Sequence, residues 1–159
     1  MSATTFVSQN IGAGEERRAD RGTAASLGLT CGITGTVIAL LIVFAPSAVG
    51  LFSPDGEVIR WGTLFIRTNC AFLLLNCVNH VLAGALRGRG DSRGPMIVML
   101  SCFVALRQTY LFLITRFVAN TPRVVGFGYP VGWTSCCAAM LLYFLIRRRR
   151  RLRREAGRA

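Results

Sequence analysis

The sequence contains no lysine, a single histidine and only seven acids; its nineteen strong cations are all Arg, giving a formal net charge of +12. Such an excess raises nucleic acid as a partner. The densest basic run, Arg147 to Arg154, has no aromatic interleaved to stack on bases, so no nucleic-acid partner is expected. The six cysteines (Cys31, Cys70, Cys77, Cys102, Cys136, Cys137) lie inside apolar runs without a CxxC pair. With one His beside them, neither a zinc site nor a disulfide framework follows, and they read as small packing residues. The first ten residues, MSATTFVSQN, lack the basic start and long apolar core of a secretory signal.

What is abundant is apolar. Hydrophobic residues make up 52% of the chain and the mean hydropathy is +0.47, too high for a soluble domain, so the expected solvent is lipid. The fold class expected is an all-α membrane protein. Residues 1–22 read as the end of a preceding helix followed by a charged loop, with Gly12 and Gly14 as helix end and turn and Gln9 beside them. Four uncharged or nearly uncharged runs follow, at about 23–45, 58–86, 95–117 and 125–146, each near the ~20 residues that a crossing needs. Gly28, Gly32 and Gly35 put small residues at helical spacing on the first, a pattern that lets membrane helices approach closely. Pro46 is expected to close that span. Ser53 is a candidate N-cap for the second, with Pro54 at its first helical position. Asn120, Thr121 and Pro122 make the turn before the fourth span, and Trp61, Tyr129 and Trp133 read as interfacial anchors.

Arg is distributed by side. The loop before Gly22 holds three, the hairpin from Arg87 to Gly94 three and residues 147–159 eight, whereas the two opposite loops hold Arg60, Arg116 and Arg123. The positive-inside rule places the first group, including the Arg-rich C-terminal tail, in the cytoplasm. In the hairpin, Gly88 and Gly90 read as turn residues, Asp91 or Ser92 as a cap and Pro95 as part of the next helix's first turn. GRGDS at Gly88 to Ser92 is similar to an adhesion peptide, but a cytoplasmic hairpin is the reading the topology favours. The basic tail suits anionic lipid headgroups.

Polar residues inside the spans are the candidates for function. Asn69, Asn76 and His80 are seven and four residues apart and share one narrow helical stripe, with Asn79 beside it. They could line a cavity, binding a cation, substrate or proton, or they could fix packing by interhelical hydrogen bonds. His80 stands seven residues before Arg87, about 10 Å from the cytoplasmic end, where solvation or packing competes with a relay role. Arg107 lies twelve residues after Pro95, roughly 18 Å deep, at an insertion cost of about 2.5–3.5 kcal/mol unless paired. No Asp or Glu falls in any of the four spans. Its expected partner is a backbone carbonyl, water, an anionic ligand or an acid elsewhere, and Gln108 and Tyr110 extend the polar patch. Arg67, nine residues into its span, reads as an Arg whose stem reaches back to the interface.

Three stretches, TFVSQNIGAGEERRADRG, LFSPDGEVIRWGTLFIR with LAGALRGRGDSRGPM, and VALRQTYLFLI with YPVGW, resemble the multidrug and toxic compound extrusion (MATE) transporters in order and spacing. The resemblance covers nearly the whole chain. It implies the end of helix eight and helices nine to twelve of a two-lobed, twelve-helix exporter, with the N-terminal lobe as missing partner and the chain as a fragment not functional alone. It further implies no catalytic residues, no cofactor beyond coupling Na+ or H+, a small organic or cationic substrate, and a multi-pass protein of the cell inner (plasma) membrane. One departure stands out: related transporters use carboxylates for the cation, and the span matching the tenth helix carries Asn76, Asn79 and His80 instead. Alternatives from the same residues are a lipid-linked saccharide flippase, to which an Arg67 and Arg107 cavity would suit an anionic cargo, and an independent four-span protein or membrane scaffold without transport activity.

Overall fold

The computed structural model describes residues 3–117 and 128–157. All of its regular elements are helical: α1 Ala3–Gly12, α2 Glu16–Gly50, α3 Gly56–Gly88, α4 Arg93–Leu100, a π-helical turn Ser101–Leu106, α5 Arg107–Phe117 and α6 Gly128–Ala156. Four stretches are long and apolar enough to cross a membrane, Glu16–Gly50, Gly56–Gly88, Arg93–Ile114 and Gly128–Arg153. At 1.5 Å per residue α2 and α3 each reach about 50 Å, against roughly 30 Å of hydrocarbon, so both project beyond it. The turn around Asn120 to Pro122, the start of the fourth span and Arg123 lie outside the described residues.

The helices form a row rather than a closed bundle. α2 packs on α3, α3 on α6, and α6 on α4, the π turn and α5, while α3 and α4 touch only slightly despite being joined by a short hairpin. α1 lies across α2 and α3. The tight core is confined to one end: Leu82, Ala83 and Leu86 of α3 close on Met140 of α6, and Val7, Ala19 and Ala85 form a second cluster under α1. Elsewhere Leu29, Val43, Phe112 and Leu142 stand exposed, an arrangement that lipid tolerates and water does not.

Local chemistry explains the bounds. Asp55, in extended backbone, accepts the Glu57 N–H at 2.9 Å and is the N-cap of α3, so the helix begins at Gly56 and not at Pro54 as expected. Ser53 serves the turn instead, its Oγ accepting the Asp55 N–H at 3.3 Å. Gly14 and Gly90 take φ of +77° and +82°, the left-handed region where glycine carries no Cβ penalty, and they reverse the chain after α1 and α3. Gly88, expected in the turn, is the last residue of α3. A Cβ there would stand 2.6 Å from the Thr4 carbonyl oxygen and 2.8 Å from Val7 Cβ, and one at Gly84 3.2 Å from Thr4 Oγ1. The Gly84-xxx-Gly88 pair is thus the seat that lets α1 lie on α3. The stripe expected to do this, Gly28, Gly32 and Gly35, meets nothing within 4 Å among the described residues.

Pro46 does not close the first span. α2 continues through it to Gly50. Proline removes the N–H that would reach the carbonyl four residues back, Ile42, and Arg67 of α3 supplies the missing donor, Nε to Ile42 O at 3.3 Å. The Arg read as reaching to the interface is instead tied to the neighbouring helix.

Candidate functional site

The polar residues of the spans separate into two groups. On α3, Asn79 is fully buried and Asn69 nearly so, Asn76 is half-buried, and His80 is exposed. Asn69 donates Nδ2 to its own helix at Phe65 O, 3.0 Å away, and its Oδ1 has no partner. Asn79 has none on either amide atom. Helical spacing puts it on the stripe of Leu82, Ala83 and Leu86 that closes on α6. An enclosed, unpaired carboxamide costs about 1–3 kcal/mol.

The second group lies on α5, where Arg107 directly follows the π turn. Its guanidinium sits 4.0 Å over the Tyr129 ring, and its Nε has no hydrogen-bond partner. Tyr129 meets Trp133 at 5.7 Å and Phe65 edge-on at 6.3 Å. The deep cation is therefore held by a π face, a partner not among those expected from the sequence. Tyr110 is half-buried beside Gly128, and Gln108 is exposed. Among the described residues α3 and α5 do not pack against each other; Tyr129 of α6 connects them. Arg67 engages α2 and Arg107 engages α6.

Sequence reasoning overlooked the most highly connected polar cluster, at the other end of the row. Asp20 of α2 pairs with Arg89 of the hairpin and with Arg151 Nη2 of α6 at 3.0 Å, and Arg148 Nε approaches it at 4.0 Å. Glu16 meets Arg151 Nε at 3.2 Å. Asp91 accepts from Tyr143 Oη at 2.6 Å, Arg147 Nε at 2.7 Å and the Gly94 N–H at 3.1 Å. The turn after α1, the hairpin and the C-terminal helix consequently meet on one side. Burial pushes the Asp91 carboxyl up, but the bonds from Tyr143, Arg147 and Gly94 outweigh it and hold the group below its ordinary value. Burial, with Arg151 nearby, pulls the Arg89 guanidinium down, and Asp20 opposes this. The available signal was two acids sharing a side with most of the Arg. The basic run Arg147 to Arg154 continues α6 as helix, with Arg147 and Arg151 engaged in the protein.

A family model described as MatE matches residues 1–113. Multidrug resistance protein PmpM of Pseudomonas aeruginosa is 31% identical over 84% of the chain and 29% of its own length. A probable multidrug resistance protein NorM of Aromatoleum aromaticum is 31% identical over 80% of the chain and 28% of its own. Protein DETOXIFICATION 7 of Arabidopsis thaliana is 28% identical over 85% of the chain and 23% of its own. The chain thus spans under a third of the length of these relatives. No solved structure matches it.

Proposed function

The chain belongs to the MatE family, and from that premise we propose that it supplies part of the second lobe of a cation-coupled exporter of organic compounds. It is a multi-pass membrane protein by its four crossing-length helices. The relatives' names speak of multidrug resistance, and the reading carries that activity to a two-lobed transporter in the plasma membrane, with the Asp20 and Asp91 side and the C-terminus in the cytoplasm. Coupling to Na+ or H+ then uses a carboxylate outside these spans, because no Asp or Glu lies within any of the four expected spans. The four spans by themselves are a wall of one lobe and do not transport.

The observation that carries this reading is Asn79. Transport by rocking lobes opens and closes interfaces around a midplane site. A carboxamide left unpaired between α3 and α6 of one lobe is costly while it stays enclosed, and a polar cavity that reaches it when the lobes rock would relieve that cost. Asn79, with Asn76 and Asn69 along the same helix, is proposed as cavity lining in that second state.

The test is efflux by a complete two-lobed transporter carrying these residues, measured as ethidium retention in an efflux-deficient host at matched membrane abundance. Asn79→Leu is expected to raise retention, and Asn79→Gln to do so less. Unchanged efflux in both would return Asn79 to a packing role. Ethidium export by the 159-residue chain alone in vesicles would contradict the partial-lobe reading.

A further inference from the structure

Between the hairpin and the C-terminal helix lies a cavity of about 300 Å³ lined by Leu86, Arg89, Asp91 and Phe144 together with Arg147, Arg148, Arg150 and Arg151. Five guanidinium groups face one carboxylate across it. Arg89 is the deepest of them: its side chain is 13% exposed and packs over the Phe144 ring at 5.9 Å. One of its terminal nitrogens is paired with Asp20, whereas Nε and Nη1 are enclosed without a hydrogen-bond partner. A guanidinium has five N–H donors in a planar fork that matches phosphate oxygens. Leaving enclosed charged donors unmade is unfavourable. Arg150, exposed at the rim, makes no ion pair among the described residues.

We infer that this cavity is a binding site for a phosphate-bearing anion, and that the ligand is the headgroup of an anionic lipid, taken between the α3–α4 hairpin and α6. Two features favour lipid over a free phosphate. The cavity sits where the apolar part of α3 ends at Leu86 and the Arg run of α6 begins, the level at which headgroups lie. Its floor is apolar, Leu86 and Phe144, which suits the glycerol end of a lipid and offers nothing to a free ion. Asp20 and Glu16 moderate the charge without neutralising it, so a single or double negative charge completes the cluster.

The experiment uses the purified chain in nanodiscs of phosphatidylcholine alone or with phosphatidylglycerol or cardiolipin, scoring retained lipid by native mass spectrometry. Anionic lipid is expected to be retained and phosphatidylcholine lost. Arg89→Gln and Arg150→Gln are each expected to weaken retention at least about fivefold more than Arg153→Gln, which removes the same charge from α6 at a position that does not line the cavity. Arg150→Gln guards against a fold defect from unpairing Asp20. Equal effects of all three substitutions would mean diffuse attraction and overturn the site. Displacement of the lipid by millimolar inorganic phosphate or glycerol phosphate would overturn the lipid assignment in favour of a soluble anion.

Discussion

Arg67 donates its Nε to the carbonyl of Ile42, the acceptor that Pro46 leaves without a helical partner. A proline inside a crossing helix and an arginine on its neighbour are thus one device, in which α3 supplies the hydrogen bond that α2 cannot make for itself. Pro46→Ala restores the N–H and makes the arginine redundant at that carbonyl. In a double-mutant cycle read by denaturant unfolding, Arg67→Met is expected to cost about 1 kcal/mol more in the parent than in the Pro46→Ala background. Equal costs in both backgrounds would show that the pairing contributes nothing.

Gly88 is expected to tolerate no side chain. Gly88→Val would drive methyl groups into Thr4 and Val7 and lift α1 from α3, at a cost of about 1–3 kcal/mol. Gly32→Val, on a face where nothing lies within 4 Å, serves as the contrast and should change stability by less than about 0.5 kcal/mol. Thermal unfolding of the two variants in the same detergent decides it.

The hairpin should carry an acid-sensitive contact. Because the folded Asp91 carboxyl is held below its ordinary value, its contribution to stability is complete above the unfolded carboxyl range, near pH 4. It is lost as the pH falls through the lower, folded value. Asp91→Asn is therefore expected to lower stability at neutral pH and to flatten its decline below about pH 4. Tyr143→Phe, which removes one of the bonds holding the value down, should shorten that decline, so that it ends at a higher pH and totals less. Unfolding midpoints of the three proteins between pH 3 and 7 provide the check, and parallel profiles would sink the assignment.

Tyr129→Leu removes the π face beneath Arg107 and leaves a charge at depth with only solvent or lipid oxygens to reach for. The expected loss is about 1–2 kcal/mol, with Tyr129→Phe close to neutral because the ring is kept. A Phe variant as damaged as the Leu variant would point to the hydroxyl instead.

These relationships mark where sequence reading reaches and where it stops. The number of crossings and the shared side of the two hairpins with the tail were legible, because hydropathy and the Arg count are sums over many residues. Asp55 as the cap was missed in favour of Ser53 because both fit the same composition and only the backbone angle of one residue separates them. The Gly28 stripe and the Gly84–Gly88 pair look alike as spacing. Which of them meets another helix depends on a partner that spacing does not name. Arg107 could be placed at depth but not beside Tyr129, since the two are far apart in the chain and joined only by the packing of α6.

Asp20 and Arg151 are separated by 131 positions in the chain. An ion pair so distant in sequence cannot form until α6 has left the ribosome and entered the bilayer, whereas the α1–α3 seat at Gly88 is available two spans earlier. The cluster that ties the two turns to α6 is therefore made after the α1–α3 seat. A stop just before Arg147 would keep these four spans yet leave them without the Arg147 and Arg151 contacts that hold α6 to the two turns.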